Sequence, residues 1–294
     1  MAGFLNLRDV EFHDKKDGFV SYYEFSPEDP VFLGHYPNHP ILPASLLIDV
    51  CCEQICSYLL IDDISLLSLT VDKASFYQGV TPGDNIQFDF SIDGCVKDGI
   101  DRINVVIKLN EELITAIYFK NNKVSDASDL DRDSVNYDES TLKSRPAIDY
   151  LPQRFPLLVV DRILDNEDSQ CCKAIKYVSY SDYCYRDTSH VDLADRDLAY
   201  PHGGVIEGIE QSAGLLLAMH WKLSDEGVVV VIGGVSGVRF YRNAYPGDVI
   251  KFHSVLDYLS DTYAILSGAA MVDDDVLLTI DKIFVVKQEA GRLS

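Results

Sequence analysis

Phe32-Leu-Gly-His35-Tyr-Pro-Asn-His-Pro-Ile-Leu-Pro43-Ala-Ser-Leu-Leu-Ile-Asp49-Val-Cys-Cys-Glu-Gln-Ile-Cys-Ser-Tyr-Leu-Leu60 is the stretch whose reading decides the fold. A loop rich in His and Pro gives way near Ala44 to a run that is core-type on almost every face, predicted as a helix over 44–61. A helix apolar nearly all round has to be covered on most sides. The cover is supplied by the segments around it. Residues 18–25 alternate like a strand before the loop, and 67–77, 85–92, 102–109 and 113–119 alternate after it, with Pro82-Gly83-Asp84 suited to a turn. The pattern predicts an α+β unit in which a curved antiparallel sheet wraps one long helix.

The same order of elements occurs a second time, the mark of an internal duplication. Residues 157–164 and 171–179 read as strands, and a loop ends at Pro201. A helix is predicted over 203–223, followed by a strand at 228–240, the turn Pro246-Gly247-Asp248 and three alternating segments from 249 to 286. Two landmarks set the register. A proline at the mouth of the helix precedes an acid by six positions in each half, Pro43 to Asp49 and Pro201 to Glu207. A strand ending in Phe, at Phe76 and at Phe240, precedes the Pro-Gly-Asp turn by the same distance. Between 121 and 144 the apolar periodicity stops and Asp, Ser and Asn take over, as in a solvated linker. The expected organisation is a first domain at 1–122, a polar linker at 123–145 and a second domain at 146–294, the two domains packed as a pseudo-dimer.

Composition narrows the function classes. With 294 residues the chain is long enough for two full cores, and 47% hydrophobic and 24% charged residues are those of a soluble globular protein. No stretch approaches the roughly 18 apolar residues of a membrane span. The N-terminus lacks a basic segment followed by an apolar one, which predicts a cytoplasmic location. A formal charge of -22 disfavours sequence-independent binding to nucleic acid or anionic lipid, since both depend on excess Lys and Arg. Seven cysteines without a Cys-x-x-Cys spacing signal neither a zinc site nor a disulfide framework and read as small buried thiols. No metal or cofactor is implied.

The chemistry-bearing residues stand where the two helices begin. Asp49 and Glu207 lie in the second turn of helices that are otherwise almost wholly core-type, and an unpaired buried charge costs several kcal/mol. A carboxyl kept in that setting is a candidate for acid/base work. The competing reading is a carboxylate held near a helix N-terminus, worth about 0.3–1 kcal/mol. The duplication favours the functional reading, because the acid recurs at the same place.

The loop Gly34-His35-Tyr-Pro-Asn-His-Pro-Ile-Leu-Pro43, with an acid following on the helix, resembles the 3-hydroxyacyl-acyl-carrier-protein dehydratases of fatty acid synthesis. Those proteins carry Gly-His-Phe-Pro-x-x-Pro-x-x-Pro-Gly and then a helical Glu or Asp. The resemblance implies a hotdog fold, doubled here. It puts His35 on the catalytic histidine, Asp49 and Glu207 on the catalytic acid, and Ala44 where a Gly N–H holds the thioester oxygen. Residues 151–164 resemble the family's opening helix and first strand. The second loop departs from the pattern. Leu193 stands eight residues before Pro201, where the histidine is expected, and His190 fits only with a loop about three residues longer. The helix mouth Tyr200-Pro-His202-Gly203-Gly-Val-Ile-Glu207 is closer to dehydratase-like proteins of aryl polyene pathways. His202 and Gly203 are the substrate-binding candidates there, and each histidine competes with a plain surface or capping role.

In the related dimers the histidine of one subunit works with the acid of the other, so the resemblance pairs His35 with Glu207 across the pseudo-dimer. It leaves Asp49 with whatever the second loop offers. One competent site and one altered site are expected. The implied reaction is removal of a C2 proton by His35, assistance to the departing hydroxyl by the carboxyl, and stabilisation of the enolate oxygen by N–H groups at the helix mouth. The implied partner is acyl carrier protein, which at this net charge requires a local cluster of Lys and Arg. Beyond the internal pairing the oligomeric state is open. Two other readings compete. A hotdog thioesterase needs a similar acyl tunnel without a paired histidine, and a non-catalytic acyl-binding scaffold would account for the degenerate second loop.

Overall fold

A computed structural model of the chain describes residues 3–7, 10–35, 40–60, 69–95, 99–121, 143–164, 169–186, 198–221 and 228–289. The first half contains β1 (Phe12–Lys15), β2 (Gly18–Glu24), a single turn α1 (Pro30–Gly34), the long helix α2 (Ala44–Leu59), β3 (Leu69–Phe76), β4 (Asn85–Cys95), β5 (Gly99–Leu109) and β6 (Glu112–Asn121). The second half contains β7 (Ser144–Pro146), β8 (Arg162–Leu164), β9 (Cys171–Tyr177), the long helix α3 (His202–Trp221), β10 (Val228–Phe240), β11 (Val249–Leu259), β12 (Tyr263–Val272) and β13 (Asp275–Glu289).

The thirteen strands among the described residues form one antiparallel sheet in the order β1-β2-β4-β5-β6-β3-β10-β13-β12-β11-β9-β8-β7. Apart from the outermost β7, the order is symmetric about the junction of β3 and β10. β3 is the inner edge of one half and β10 that of the other, and the two pair across the junction, with Val235 opposite Ala74 and Val238 opposite Val71. Each half thus spends its exposed strand edge on its sister, which leaves no unpaired edge at the centre to recruit another chain. Each curved half-sheet wraps one long helix, giving the α+β double hotdog that the sequence predicts.

Both helices are buried on most sides, as their composition requires. Leu46, Ile48, Cys51 and Ile55 of α2 and Ile206, Ile209, Leu216 and Leu217 of α3 all belong to a single core cluster with the inner faces of the strands. Each such side chain contributes about 1.5–3 kcal/mol on burial. The repeat is kept down to individual hydrogen bonds. Gly83 N–H donates to Phe25 O at 2.7 Å and Gly247 N–H to Val178 O at 2.9 Å, with Asp84 and Asp248 closing both turns through their carboxylates. The two glycines have φ of +89° and +105°, which explains the glycine in each Pro-Gly-Asp. Leu42 N–H donates to Val80 O and Tyr200 N–H to Ala244 O, both at 2.8 Å, so the two helix mouths hang from equivalent strand ends.

The structure departs from the sequence reading in three places. Residues 157–161 are not a strand, and β8 is only Arg162–Leu164. The Gln211 side chain takes the polar groups a ladder would have used: its Nε2 donates to Leu157 O at 2.6 Å, and its Oε1 accepts from Val159 N–H and Val160 N–H at 3.2 Å each. The turn α1 lies partly inside the predicted loop, with Pro30 at its first position; it is too short to show a helical period. Most of the expected linker lies outside the described residues, and β7 begins at Ser144, just inside its predicted end. The six cysteines whose side chains are described are buried free thiols. No helix among the described residues is long and apolar enough to cross a membrane.

Packing of α3 on the sheet depends on Gly208, where a Cβ would lie 2.2 Å from the ring of Phe252 on β11. Gly208→Ala is expected to destabilise the protein by about 1–3 kcal/mol, measured as a lower denaturation midpoint with an unchanged slope.

Candidate active site

The two long helices meet at their N-terminal ends, and an acid from each reaches the first turn of the other. Asp49 Oδ1 accepts from Gly203 N–H at 2.9 Å. Glu207 Oε2 accepts from the Ser45 hydroxyl at 2.7 Å, and its Oε1 accepts from Gln211 Nε2 at 2.9 Å. The two contacts are counterparts, since Ser45 and Gly203 both stand two residues after the mouth proline and Asp49 and Glu207 both stand six after it.

His35 follows α1 at the edge of this junction and is buried. Its Nδ1 lies 2.8 Å from Ile41 O. A carbonyl can only accept, so Nδ1 carries the hydrogen and Nε2 keeps its lone pair in the neutral ring. Burial pushes the imidazole below its ordinary pKa, while Glu207, close enough to act on it, and the Ile41 carbonyl pull it back up. Gly34 explains the preceding position in the motif. Its carbonyl accepts from Arg154 N–H at 2.8 Å, and a Cβ would sit 2.6 Å from Arg154 O. The segment 147–160 of the second half is thereby pressed onto the histidine loop of the first.

His35, Pro43, Ala44 and Glu207 line one cavity of about 960 Å³. Its walls continue along α3 through Glu210, Gly214 and Leu217 to the start of β10 and the end of β13, and along the docked segment through Leu151 and Gln153. The volume lies within the range of small-molecule sites, whose walls are apolar with a few placed polar groups. At the mouth of α2, Pro43 is the cap and supplies no side-chain bond to the first turn. The first N–H groups of a helix have no partner within the helix, and they favour negative charge. Leu46 N–H and Leu47 N–H donate to Pro43 O, and the Ala44 end, the positive end of the helix dipole, borders the cavity.

The second helix mouth is built differently. The Gly203 N–H is already taken by Asp49, and a Cβ on Gly203 would lie 2.7 Å from Asp49 Cβ, so the two are in tight contact. His202 Nε2 lies 2.9 Å from Asn243 Oδ1, and its ring packs at 4.6 Å from Phe240. Burial pushes that imidazole down to about 4, with the Asn243 bond opposing. None of Asp49, His202 and Gly203 lines the cavity that holds His35. His190 and Leu193 lie outside the described residues. Of the residues singled out from sequence, the fold thus brings His35, Ala44 and Glu207 together and sets Asp49 with Gly203.

Three site residues escape the sequence reading. Ser45 and Gln211 hold the two oxygens of Glu207. Gln211 carries a readable signal, because it stands four positions after Glu207 and so one turn along the same helix face. Glu210 lines the cavity as a further buried acid. Its signal is a second carboxyl three residues on in an apolar helix.

Comparison with known proteins places this geometry. The model of the ApeI-like family, described as ApeI dehydratase, matches residues 11–105. That likeness therefore falls on the first half, whereas the helix mouth at 200–207 suggests it for the second. The 3-hydroxyacyl-[acyl-carrier-protein] dehydratase FabZ of Cupriavidus metallidurans is 29% identical over 153 residues, covering 52% of this chain and 98% of that protein. FabZ of Oleidesulfovibrio alaskensis is 32% identical over 115 residues, 39% of this chain and 71% of that protein. Among solved structures, the dehydratase domain of PpsC from Mycobacterium tuberculosis in complex with C12:1-CoA superposes with a TM-score of 0.68 at 14% identity, covering 98% of this chain and 99% of that one. The dehydratase domain from the CurJ module of curacin polyketide synthase gives 0.65 at 9% identity, with 96% of each chain covered. These structures share the double hotdog fold, and by its sequence likeness to FabZ this chain belongs to the 3-hydroxyacyl-[acyl-carrier-protein] dehydratase family.

Proposed function

We propose that the chain converts a 3-hydroxyacyl thioester, carried on acyl carrier protein, to the 2-enoyl thioester in fatty acid or polyketide-type synthesis, at one site built from both halves. The observation that carries the reading is that the His35 ring, with Nδ1 turned to Ile41 O, and the doubly held Glu207 carboxyl line one cavity. In this reading the thioester oxygen lies at the Ala44 end of α2, where the positive end of the helix dipole stabilises the enolate. The C2 proton passes to His35 Nε2. Glu207, oriented by Ser45 and Gln211, delivers a proton to the hydroxyl at C3, directly or through a water, and the C3–O bond breaks to release water. The electron pair from the C2–H bond becomes the new double bond, so no oxidant or cofactor is needed.

The second mouth is built differently, since Asp49 takes the Gly203 N–H beside His202, the counterpart of Ala44, and none of the three lines the cavity. Asp49 is assigned a capping role and the protein a single working site. A thioesterase would leave the paired histidine without a task, and a scaffold would not need the Glu207 oxygens held on both sides.

Three measurements test the reading. Incubation with 3-hydroxyacyl pantetheine or carrier-protein thioesters, followed by mass spectrometry, is expected to show loss of water. His35→Ala and Glu207→Gln are each expected to lower kcat/KM by about a hundredfold to ten-thousandfold. Release of free acid would support the thioesterase, and no turnover the scaffold. Asp49→Asn is expected to retain turnover of the same order as the unaltered protein; its collapse would require a second working site. The third is the pH profile. Burial lowers the His35 pKa from 6.5, so the neutral base persists below that value as pH falls, and the acid limb of kcat/KM is expected to have an apparent pKa under 6.5. An acid limb above 6.5 would remove His35 from the role of base.

A further inference from the structure

α3 contains four glycines, and three of them have a neighbour that accounts for the missing side chain. A Cβ would lie 2.7 Å from Asp49 Cβ at Gly203, 2.7 Å from the Tyr200 ring at Gly204 and 2.2 Å from the Phe252 ring at Gly208. At Gly214 a Cβ would meet nothing within 4 Å among the described residues. Glycine is a poor helix former, and inside a helix it is kept for a packing or a functional reason. Packing supplies none here. Gly214 instead stands in the wall of the cavity that holds His35 and Glu207.

The residues that α3 gives to that cavity are Glu207, Glu210, Gln211, Gly214, Leu217 and Ala218. Spacings of three, four and seven belong to one helix face, so the cavity follows a single stripe of α3 for three turns past Glu207. Its far end is apolar. Leu217 and Ala218 are joined there by Val229 and Val231 of β10 and by Val285 and Val286 of β13. Lys287 Nζ lies 5.9 Å from the centroid of the Trp221 ring, which places the end of β13 beside the last residue of α3. Burial, with the nearby Glu207, pushes the Glu210 carboxyl well above its ordinary range, so it stays protonated and adds no charge to this wall.

Such a wall suits methylene groups. The amides of a carrier arm need polar partners, which the docked segment offers at the His35 end with Asp149 and Arg154. The opening also belongs to one half alone. The counterpart of Gly214, thirteen residues after the mouth proline in each half, is Cys56, whose side chain is packed into the core.

Resting on the dehydratase reading, we infer that Gly214 is a specificity-determining residue, whose missing side chain lets a long acyl chain run along α3 to the apolar end of the cavity. Gly214 stands seven residues after Glu207, about 10 Å of helix rise. An extended acyl chain with C–C bonds of about 1.5 Å covers that distance in about eight carbons. With C3 at Glu207, chains of up to about ten carbons end before Gly214, and longer ones pass it.

The test compares loss of water from 3-hydroxyhexanoyl and 3-hydroxytetradecanoyl pantetheine, one on each side of that limit. Gly214→Leu is expected to lower the ratio of kcat/KM for the long substrate over the short one by about tenfold or more, because several methylenes lose their burial and each is worth about fourfold. Gly214→Ala leaves part of the passage and is expected to lower the ratio less. It is also expected to raise Tm, since alanine is the better helix former and meets no neighbour. A ratio unchanged in both variants, or a lower Tm for Gly214→Ala, would overturn the inference. Binding to the full chain carrying His35→Ala separates this from the reaction itself. Calorimetry is expected to find the long thioester bound more tightly than the short one, with the difference lost when Gly214→Leu is added. That pattern with no water lost by the unaltered protein would count against dehydration alone, while water loss whose length dependence ignores Gly214 would count against this inference alone.

Discussion

The molecule depends on a reciprocal exchange between its two long helices: an acid in the second turn of each is inserted into the mouth of the other. Asp49 reaches Gly203 and Glu207 reaches Ser45, and both contacts are buried where water cannot replace them. Buried carboxyls require partners, and the nearest unsatisfied donors are those at the opposite helix mouth. The exchange therefore ties the halves together at the same place where it gathers reactive groups. The continuous sheet complements it, since β3 and β10 pair across the junction and fix how far the helices can shift.

A duplicated chain begins with two equivalent mouths, and small differences in side chain make them unequal here. Asp49 binds a backbone N–H directly, which uses up the donor at the mouth of α3. Glu207 is longer and meets a serine hydroxyl instead of the backbone, and its other oxygen is taken by Gln211 one turn along. Substituting Gly203 for Ser45 at the equivalent position also brings Asp49 into close contact with the helix, leaving no space there. One half thus supplies the histidine and the helix mouth that borders the cavity, and the other supplies the acid and much of the cavity wall.

The docked segment 147–160 shows how the second half was adapted to this service. It gives up a predicted strand, lies across the Gly34 and His35 loop, and is held on the other side by Gln211. Gln211 therefore links the position of the Glu207 carboxyl to the position of the cavity wall. Glu210, its neighbour in sequence, is buried in the wall of the same cavity, and burial, with the nearby Glu207, pushes its carboxyl well above the ordinary range.

Much of this was legible in the linear chain. Two apolar helices, their strands, the Pro-Gly-Asp turns and the duplicated spacing of proline and acid are local patterns, and local patterns carry the periods of helix and strand directly. The pairing of His35 with Glu207 was legible only through family resemblance, because residues 172 positions apart leave no periodic trace. Tertiary structure alone decided the rest. Residues 157–161 have the composition of a strand, yet Gln211 took their backbone groups first. Gly203 and Ser45 occupy equivalent places at the helix mouths, yet one gives a backbone N–H to the opposite acid and the other a hydroxyl. Glu210 reads as one more helical acid until the fold builds it into a cavity wall. In each case the deciding factor was competition for hydrogen-bond partners among groups far apart in the chain, and that competition is settled only when the two halves close on each other.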